Sequence, residues 1–309
     1  MTSTEIHVPI SLNRNFVTMS HALVSSLAAK ADFPGDWRVI FTVSLDTDQD
    51  FTSPLLDWAK DYPVEFRWVD RKLFEDFGYF GTGLQRMLYE HTADVILMMD
   101  ADILAVGPLT ELIDLAGAAD VVIARPAWGP PPDVDLRELL VSCGLAADGY
   151  GLIYDGFGLA FCSPKCCPPY FNLGHLAMSR DIVRHMGRTY PEDVAFVQSR
   201  YRSFFNNQIA LCLNIVRNRY PYRAMDPKFN LGNGLDAPIP VIQSADAISY
   251  AQLHNTVLDR RLFHYCVKSA EFDKTRDLDG WDRLIAFCAR TDIRGIGNVL
   301  LQMGFRSVL

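Results

Sequence analysis

At 309 residues, 49% of them hydrophobic and 21% charged, the chain has an ordinary globular composition and enough apolar mass for a sizeable core, which excludes disorder along most of its length. Its formal charge of −8, with no block of Lys or Arg, excludes the cationic footprint of a protein that tracks a nucleic-acid backbone.

The opening residues MTSTE lack the basic and apolar regions of a secretion signal, and no apolar run reaches the ~18 residues of a membrane span, so the expected location is the cytoplasm. Residues 6–11 form a short β-type run ending at Asn13-Arg14-Asn15, after which Phe16, Met19, Leu23 and Leu27 carry helical spacing to Lys30. Residues 37–45 repeat the strand signal through Val39, Ile40, Phe41 and Val43, and Thr52 or Ser53 can cap a helix running to about Lys60. Residues 64–69 alternate as a third strand, residues 83–91 predict another helix, and ADVILMM at 93–99 predicts a fourth strand, fully apolar from Val95 on. Strands alternating with helices predict an α/β fold with a mostly parallel central sheet flanked by helices, and the most apolar strand belongs at its centre. Ligands in such open sheets sit beyond the carboxyl ends of the strands. Both the 13–15 loop and the Asp100-Ala101-Asp102 turn fall there.

From 126 to 169 the composition shifts to Pro, Gly and Cys, predicting an irregular insertion that is either a binding loop or lid or an inert excursion. Cys162, Cys166 and Cys167 cluster within it, but their spacing is not that of zinc knuckles, and Pro164, Pro168 and Pro169 make it a constrained loop. The seven scattered cysteines fit a reduced compartment. Residues 194–217 read as helical. Residues 1–268 are taken as one domain, with 269–309 a helical tail packed on it. Arg294 and Arg306 among Leu300, Leu301, Met303 and Phe305 would also suit a helix lying on a bilayer, and core packing is the preferred reading.

Two aspartates one residue apart can both face a divalent cation bridging a diphosphate. The spacing recurs at 46/48, 48/50, 133/135 and 277/279, so it decides little alone; the 46–50 run reads as a solvated turn, with Phe51 where a calcium loop needs glycine. Asp100 and Asp102 differ because a buried-looking strand leads into them and Ile103-Leu104-Ala105 returns to apolar chain. Carboxylates partly withdrawn from water call for a compensating cation.

From Ala93 to Leu109 the sequence resembles the metal-site segment of the family 8 retaining glycosyltransferases, the group of glycogenin and the lipooligosaccharide galactosyltransferases, which have the GT-A fold. Collinear with it, Arg86 stands in the place of that family's donor-contacting arginine. Tyr170-Phe171-Asn172-Leu173-Gly174 is similar to its Phe-Asn-x-Gly stretch, Asn207-Gln208 to its Asp-Gln pair, Asp226-Pro227-Lys228-Phe229-Asn230 to its basic-Phe-Asn turn, and Phe263-His264-Tyr265-Cys266 to the segment holding a metal-binding histidine. The chain departs from the pattern at Asn13 or Arg14, where the family commonly has a carboxylate, at Asn207, which replaces an aspartate, and at Lys268, which follows His264 by fewer residues than usual.

The resemblance implies a metal-dependent hexosyltransferase that moves a sugar from a nucleotide-diphosphate donor, UDP-sugar above others, to a hydroxyl acceptor with retention of configuration. Mn2+ or Mg2+ would be held by Asp100, Asp102 and His264. Donor contacts fall to Asn13, Asn15, Arg86, Asp100, Ala101 and Lys268, and roles at the transferred sugar to Gln208, Asn207 and Asn172. The implied partners are a nucleotide-sugar donor and a glycan, lipid-linked or small-molecule acceptor, with no nucleic acid. Two rival readings are a sugar-phosphate nucleotidyltransferase, disfavoured because residues 11–15 offer no glycine to cradle a triphosphate, and a noncatalytic nucleotide-sugar or glycan-binding protein.

Overall fold

Residues 2–12, 14–46, 54–105, 107–127, 130–131, 133–147, 168–230 and 247–249 are described by the computed structural model. In chain order they form β1 (Thr4–Ile10), α1 (Arg14–Lys30), β2 (Trp37–Val43), a 3-10 helix (Pro54–Asp61) and β3 (Val64–Trp68). Next come α2 (Arg71–Phe77), α3 (Tyr79–Leu88), β4 (Val95–Met99), β5 (Ile103–Ala105), α4 (Thr110–Ala118) and β6 (Val122–Pro126). The remainder is α5 (Leu136–Ser142), β7 (Phe171–Ser179), α6 (Arg180–Arg200), α7 (Asn206–Asn218), β8 (Tyr222–Ala224) and β9 (Ala247–Ser249).

Seven strands make one sheet in the order β3-β2-β1-β4-β7-β6-β8, and β5 pairs with β9 beside it. The apolar strand β4 occupies the centre, as its composition demands. Val95, Leu97 and Met99 face one hydrophobic cluster with Ile6, Val8, Leu23 and Phe41, while Ile96 and Met98 face another with Leu84, Met87, Val183 and Leu211. A strand buried on both faces cannot alternate with polar residues. The pairings β1–β2, β1–β4, β2–β3 and β6–β8 are parallel, and β7 pairs antiparallel with both β4 and β6. Helices cover both faces, so the expected α/β architecture with a mostly parallel sheet is the one observed.

Several boundaries differ from those the sequence suggests. The segment before the third strand is a 3-10 helix, and the helix expected at 83–91 begins at Tyr79, behind the additional helix α2. Gly78, at φ 60° and ψ −144°, ends α2 and starts α3, a backbone region that only glycine visits without strain. The single helix read over 194–217 is two. Its break at 201–205 is fixed by Ser203 Oγ accepting from the Phe205 amide at 3.1 Å and by Asn206 Nδ2 donating to the Tyr201 carbonyl at 3.0 Å, local bonds that compete with helix continuation. Within the predicted insertion, Asp135 caps α5 by accepting from the amides of Arg137 and Glu138. The cysteine cluster at 162–167 and the boundary at 268 lie outside the described residues.

β1 has a polar face that the sequence reading passed over. Ile6, Val8 and Ile10 enter one cluster, whereas Glu5 and His7, also buried, point to the α3 side. Burial alone would raise the Glu5 carboxyl, but the neighbouring His7, His91, Arg38 and Thr92 hold it far below the usual carboxylate range.

Candidate functional site

Asp100 is the first residue beyond β4, and its amide donates to the Gly174 carbonyl at 2.8 Å. Because β7 runs opposite to β4, with Met99 opposite His175, the start of β7 lies beside the carboxyl end of β4. Asn172 and Asp100 are therefore neighbours despite their separation in sequence. Asn172 Oδ1 accepts from the Gly174 amide at 2.6 Å. A Cβ on Gly174 would stand 2.7 Å from Asn172 Oδ1 and 2.7 Å from Asp100 Oδ2, so glycine is what lets the two oxygens flank this point.

Arg86 reaches the same place from α3. Its guanidinium is buried, with Nε donating to the Gly83 carbonyl at 3.1 Å and Nη2 to the Leu173 carbonyl at 3.3 Å. Nη1 stands 3.9 Å from Asp100 Oδ1 and makes no hydrogen bond among the described residues. Arg86 thus ties α3 to the start of β7 and turns one buried N–H toward Asp100.

Ala101 is 3% exposed and sits in the core, anchoring the turn between the two aspartates while Asp102 remains partly buried. The Asp100 side chain is 49% accessible, yet protein crowds it closely enough that burial raises its carboxyl above the usual range, with Arg86 pulling the other way. A carboxylate held in this condition gains from a cation, and the carboxylate oxygens of Asp100 and Asp102 suit a hard divalent ion.

Asn207, in the first turn of α7, packs on α3 one turn before Arg86. Its Nδ2 donates to the Phe80 carbonyl at 3.3 Å and would lie 3.4 Å from a Cβ on Gly83. Its carbonyl accepts from the buried Tyr190 hydroxyl at 2.7 Å, and its Oδ1 is buried without a hydrogen-bond partner among the described residues. Gln208 follows it, partly exposed. Asn15 lies in the first turn of α1, which opens at the carboxyl end of β1. Asn13, His264 and Lys268 fall outside the described residues.

The structure adds residues that no motif flagged. Tyr79 opens α3 behind Gly78. The residue is 38% exposed, yet neighbouring protein crowds it closely enough that desolvation is the main cause raising its hydroxyl above the ordinary tyrosine value; the nearby carboxylates of Asp100, Asp46 and Asp102 add to this, and Arg86 opposes it. Asp46, expected in a solvated turn, is exposed but also accepts from Ser11 Oγ at 3.0 Å. That bond joins the loops after β1 and β2 at the rim. The 226–230 turn is held from two strands: His175 Nδ1 lies 2.9 Å from the Phe229 carbonyl, and Arg125 Nη1 donates to the Asn230 carbonyl at 2.7 Å. Its Lys228 pairs with Glu111. Sequence spacing offered no sign of Tyr79 or of the Ser11–Asp46 link, because neither repeats or sits in a recognisable pattern.

Among the described residues no helix is long and apolar enough to cross a membrane. No protein-family model matches the chain, and no curated protein matches it. Solved structures do. The apo structure of the bifunctional glycosyltransferase WbbM is similar over 81% of this chain and 46% of its own length, with a TM-score of 0.50 and 15% identity. The galactosyltransferase LgtC, in complex with donor and acceptor sugar analogs, is similar over 80% of this chain and 87% of its own, with a TM-score of 0.53 and 15% identity. The chain thus spans less than half of WbbM and most of LgtC. At this identity the likeness establishes architecture: the chain shares the GT-A fold of these two glycosyltransferase structures.

Proposed function

We propose that the chain is a metal-dependent glycosyltransferase that takes a hexosyl group from a nucleotide-diphosphate donor, UDP-sugar first among them, and passes it to a hydroxyl acceptor with retention of configuration. The observation that carries the reading is the convergence of Asp100, Asn172 and Arg86 at the carboxyl end of the central strand. In an open parallel sheet that is where a ligand is expected.

The residues fit a divalent cation, Mn2+ or Mg2+, with Asp100 and Asp102 as its carboxylate ligands and His264 as the proposed third. Such an ion supplies neutralisation of the negative charge that grows on the diphosphate as the sugar departs. Arg86 adds a fixed cation next to Asp100, already oriented by two carbonyls, so no reorganisation is needed as charge develops. Asn172, Asn207 and Gln208 are proposed to act at the transferred sugar, and Asn13, Asn15 and Lys268 to contact the nucleotide. With retention, the acceptor hydroxyl approaches from the leaving-group side and its proton can pass to the departing phosphate.

The test is incubation of the full chain with Mn2+ and a panel of nucleotide-diphosphate sugars, following release of the nucleotide with and without simple glycan acceptors. Metal-dependent hydrolysis or transfer with one donor is expected. Donor binding without turnover would overturn the enzymatic reading in favour of a nucleotide-sugar-binding protein.

A further inference from the structure

Away from the crevice, Glu5 and His7 on β1 meet His91, which lies between α3 and β4; the two histidines are 0% exposed and Glu5 1%. His7 Nε2 is 3.2 Å from His91 Nδ1 and 3.3 Å from Glu5 Oε2, and His91 Nδ1 is 3.5 Å from Glu5 Oε2. We propose that this triangle is a second, buried metal site of the zinc class, built from two imidazole nitrogens and one carboxylate oxygen.

The spacing is the first argument. A tetrahedral zinc ion with ligand bonds near 2.0–2.1 Å places its ligand atoms ~3.3 Å apart, and all three edges of the triangle are close to that length. Hydrogen bonding accounts for the same triangle poorly. If both imidazoles direct an N–H at Glu5 Oε2, their hydrogens face each other across the 3.2 Å gap; if one donates to the other, only one N–H serves three mutual contacts. The outer nitrogens, His7 Nδ1 and His91 Nε2, are buried and have no hydrogen-bond partner among the described residues. The polar engagement of these rings is directed inward, toward one point.

The surroundings support a built site. Glu5 Oε1 is engaged by the Thr92 hydroxyl at 2.7 Å, the Thr92 amide at 3.2 Å, the Ala93 amide at 3.3 Å and the Arg38 guanidinium. Those bonds fix the carboxylate so that Oε2 faces the histidines, the usual way outer contacts orient a ligand. The His7 ring is further held by stacking on Tyr89 at 5.6 Å. Two imidazoles and one carboxylate select zinc over magnesium, which prefers six oxygens in an octahedron. The site is also distinct from the crevice. Ser11, at the crevice rim, lies four residues beyond His7 along β1, or ~13 Å at strand rise. Three protein ligands leave the fourth position of a tetrahedral site open, and it is the burial of all three, on β1 and the α3–β4 connection, that makes the role structural, with metal uptake coupled to folding.

The test uses the full chain refolded or expressed with zinc and then passed through a brief chelator wash. About one tightly held zinc per chain is expected, and it should persist when Asp100 and Asp102 are both changed to Asn, which separates it from the crevice ion. His7→Gln with His91→Gln should abolish it. Because that variant can fail to fold, X-ray absorption at the zinc edge of the native chain supplies the second measurement, where imidazole scattering and Zn–N distances near 2.0–2.1 Å are expected. Far less than one zinc per chain after loading, a zinc environment without imidazole scattering, or undiminished zinc in a folded double-histidine variant would each overturn the proposal.

Discussion

Asp100 and Gly174 are joined across two strands that run in opposite directions, the Asp100 amide donating to the Gly174 carbonyl at 2.8 Å while Asp100 Oδ2 lies 2.7 Å from where a glycine Cβ would be. The contact leaves no room for a side chain at 174. Gly174→Ala must push either Asp100 or Asn172 aside, and displacements of about 1 Å at a reacting centre can cost on the order of a hundredfold in rate. We expect a fall of that order in Mn2+-dependent turnover, with cooperative unfolding retained. Activity within a factor of about two of the parent would count against the placement of these oxygens at the chemistry.

Asp102→Ala removes one carboxylate from the proposed cation without touching the core, since the neighbouring Ala101 supplies the anchor. Metal-dependent turnover should disappear, while the melting temperature measured without metal stays close to that of the parent. Undiminished turnover at saturating Mn2+ would remove Asp102 from the site.

Arg86→Lys tests whether a point charge is enough. The guanidinium bonds two carbonyls with two separate nitrogens and keeps a third toward Asp100, a fork that an ammonium cannot reproduce. Loss of turnover on the order of 10²–10³-fold is expected from removing a preorganised charge. Full activity in the lysine variant would reduce Arg86 to a structural tie.

Asn207→Asp would introduce a carboxylate of the kind found in the family the sequence resembles, yet the structure argues against a gain. The Asn207 amide donates to the Phe80 carbonyl, and a carboxylate would instead oppose that oxygen. We expect a destabilisation of about 1–3 kcal/mol, read by chemical denaturation, and no rise in turnover. A more active or more stable variant would contradict the assignment of this bond.

Acid should weaken the fold through His175. Burial is the main cause that pushes its pKa from an ordinary 6.5 down to about 4, against the bond to the Phe229 carbonyl. The unfolded chain binds the proton between those two values and the folded chain does not. The stabilisation linked to this residue is therefore complete above pH 6.5 and is lost as pH falls toward 4, by about 3 kcal/mol in all. Denaturation of parent and His175→Asn at pH 7 and pH 4.5 should show a smaller pH-dependent loss in the variant; identical losses would refute the linkage.

The architecture was legible because β4 has no polar residue to place on either face, which puts it at the centre, and because βα alternation forces parallel pairing. The convergence of Asp100, Asn172 and Arg86 was legible only as an ordered series of weak matches. Arg86 could equally have been a surface helix residue, and its burial comes with the packing of α3 against the start of β7. Tyr79, the Ser11–Asp46 bond and the Glu5-His7-His91 cluster were not legible. Each unites residues whose proximity arises from sheet order, such as β1 beside β4, and not from spacing along the chain.

The reversed direction of β7 also has a bearing on synthesis. As the chain emerges from its amino end, β1 to β4 can pair and display Asp100 and Asp102 well before Asn172 exists. Only when β7 has docked in its antiparallel register does the second wall arrive, and a one-residue slip would turn Asn172 to the opposite face of the sheet. An incomplete or misregistered chain therefore has the acidic pair without the pocket, which ties competence at the crevice to completion of the central pairing.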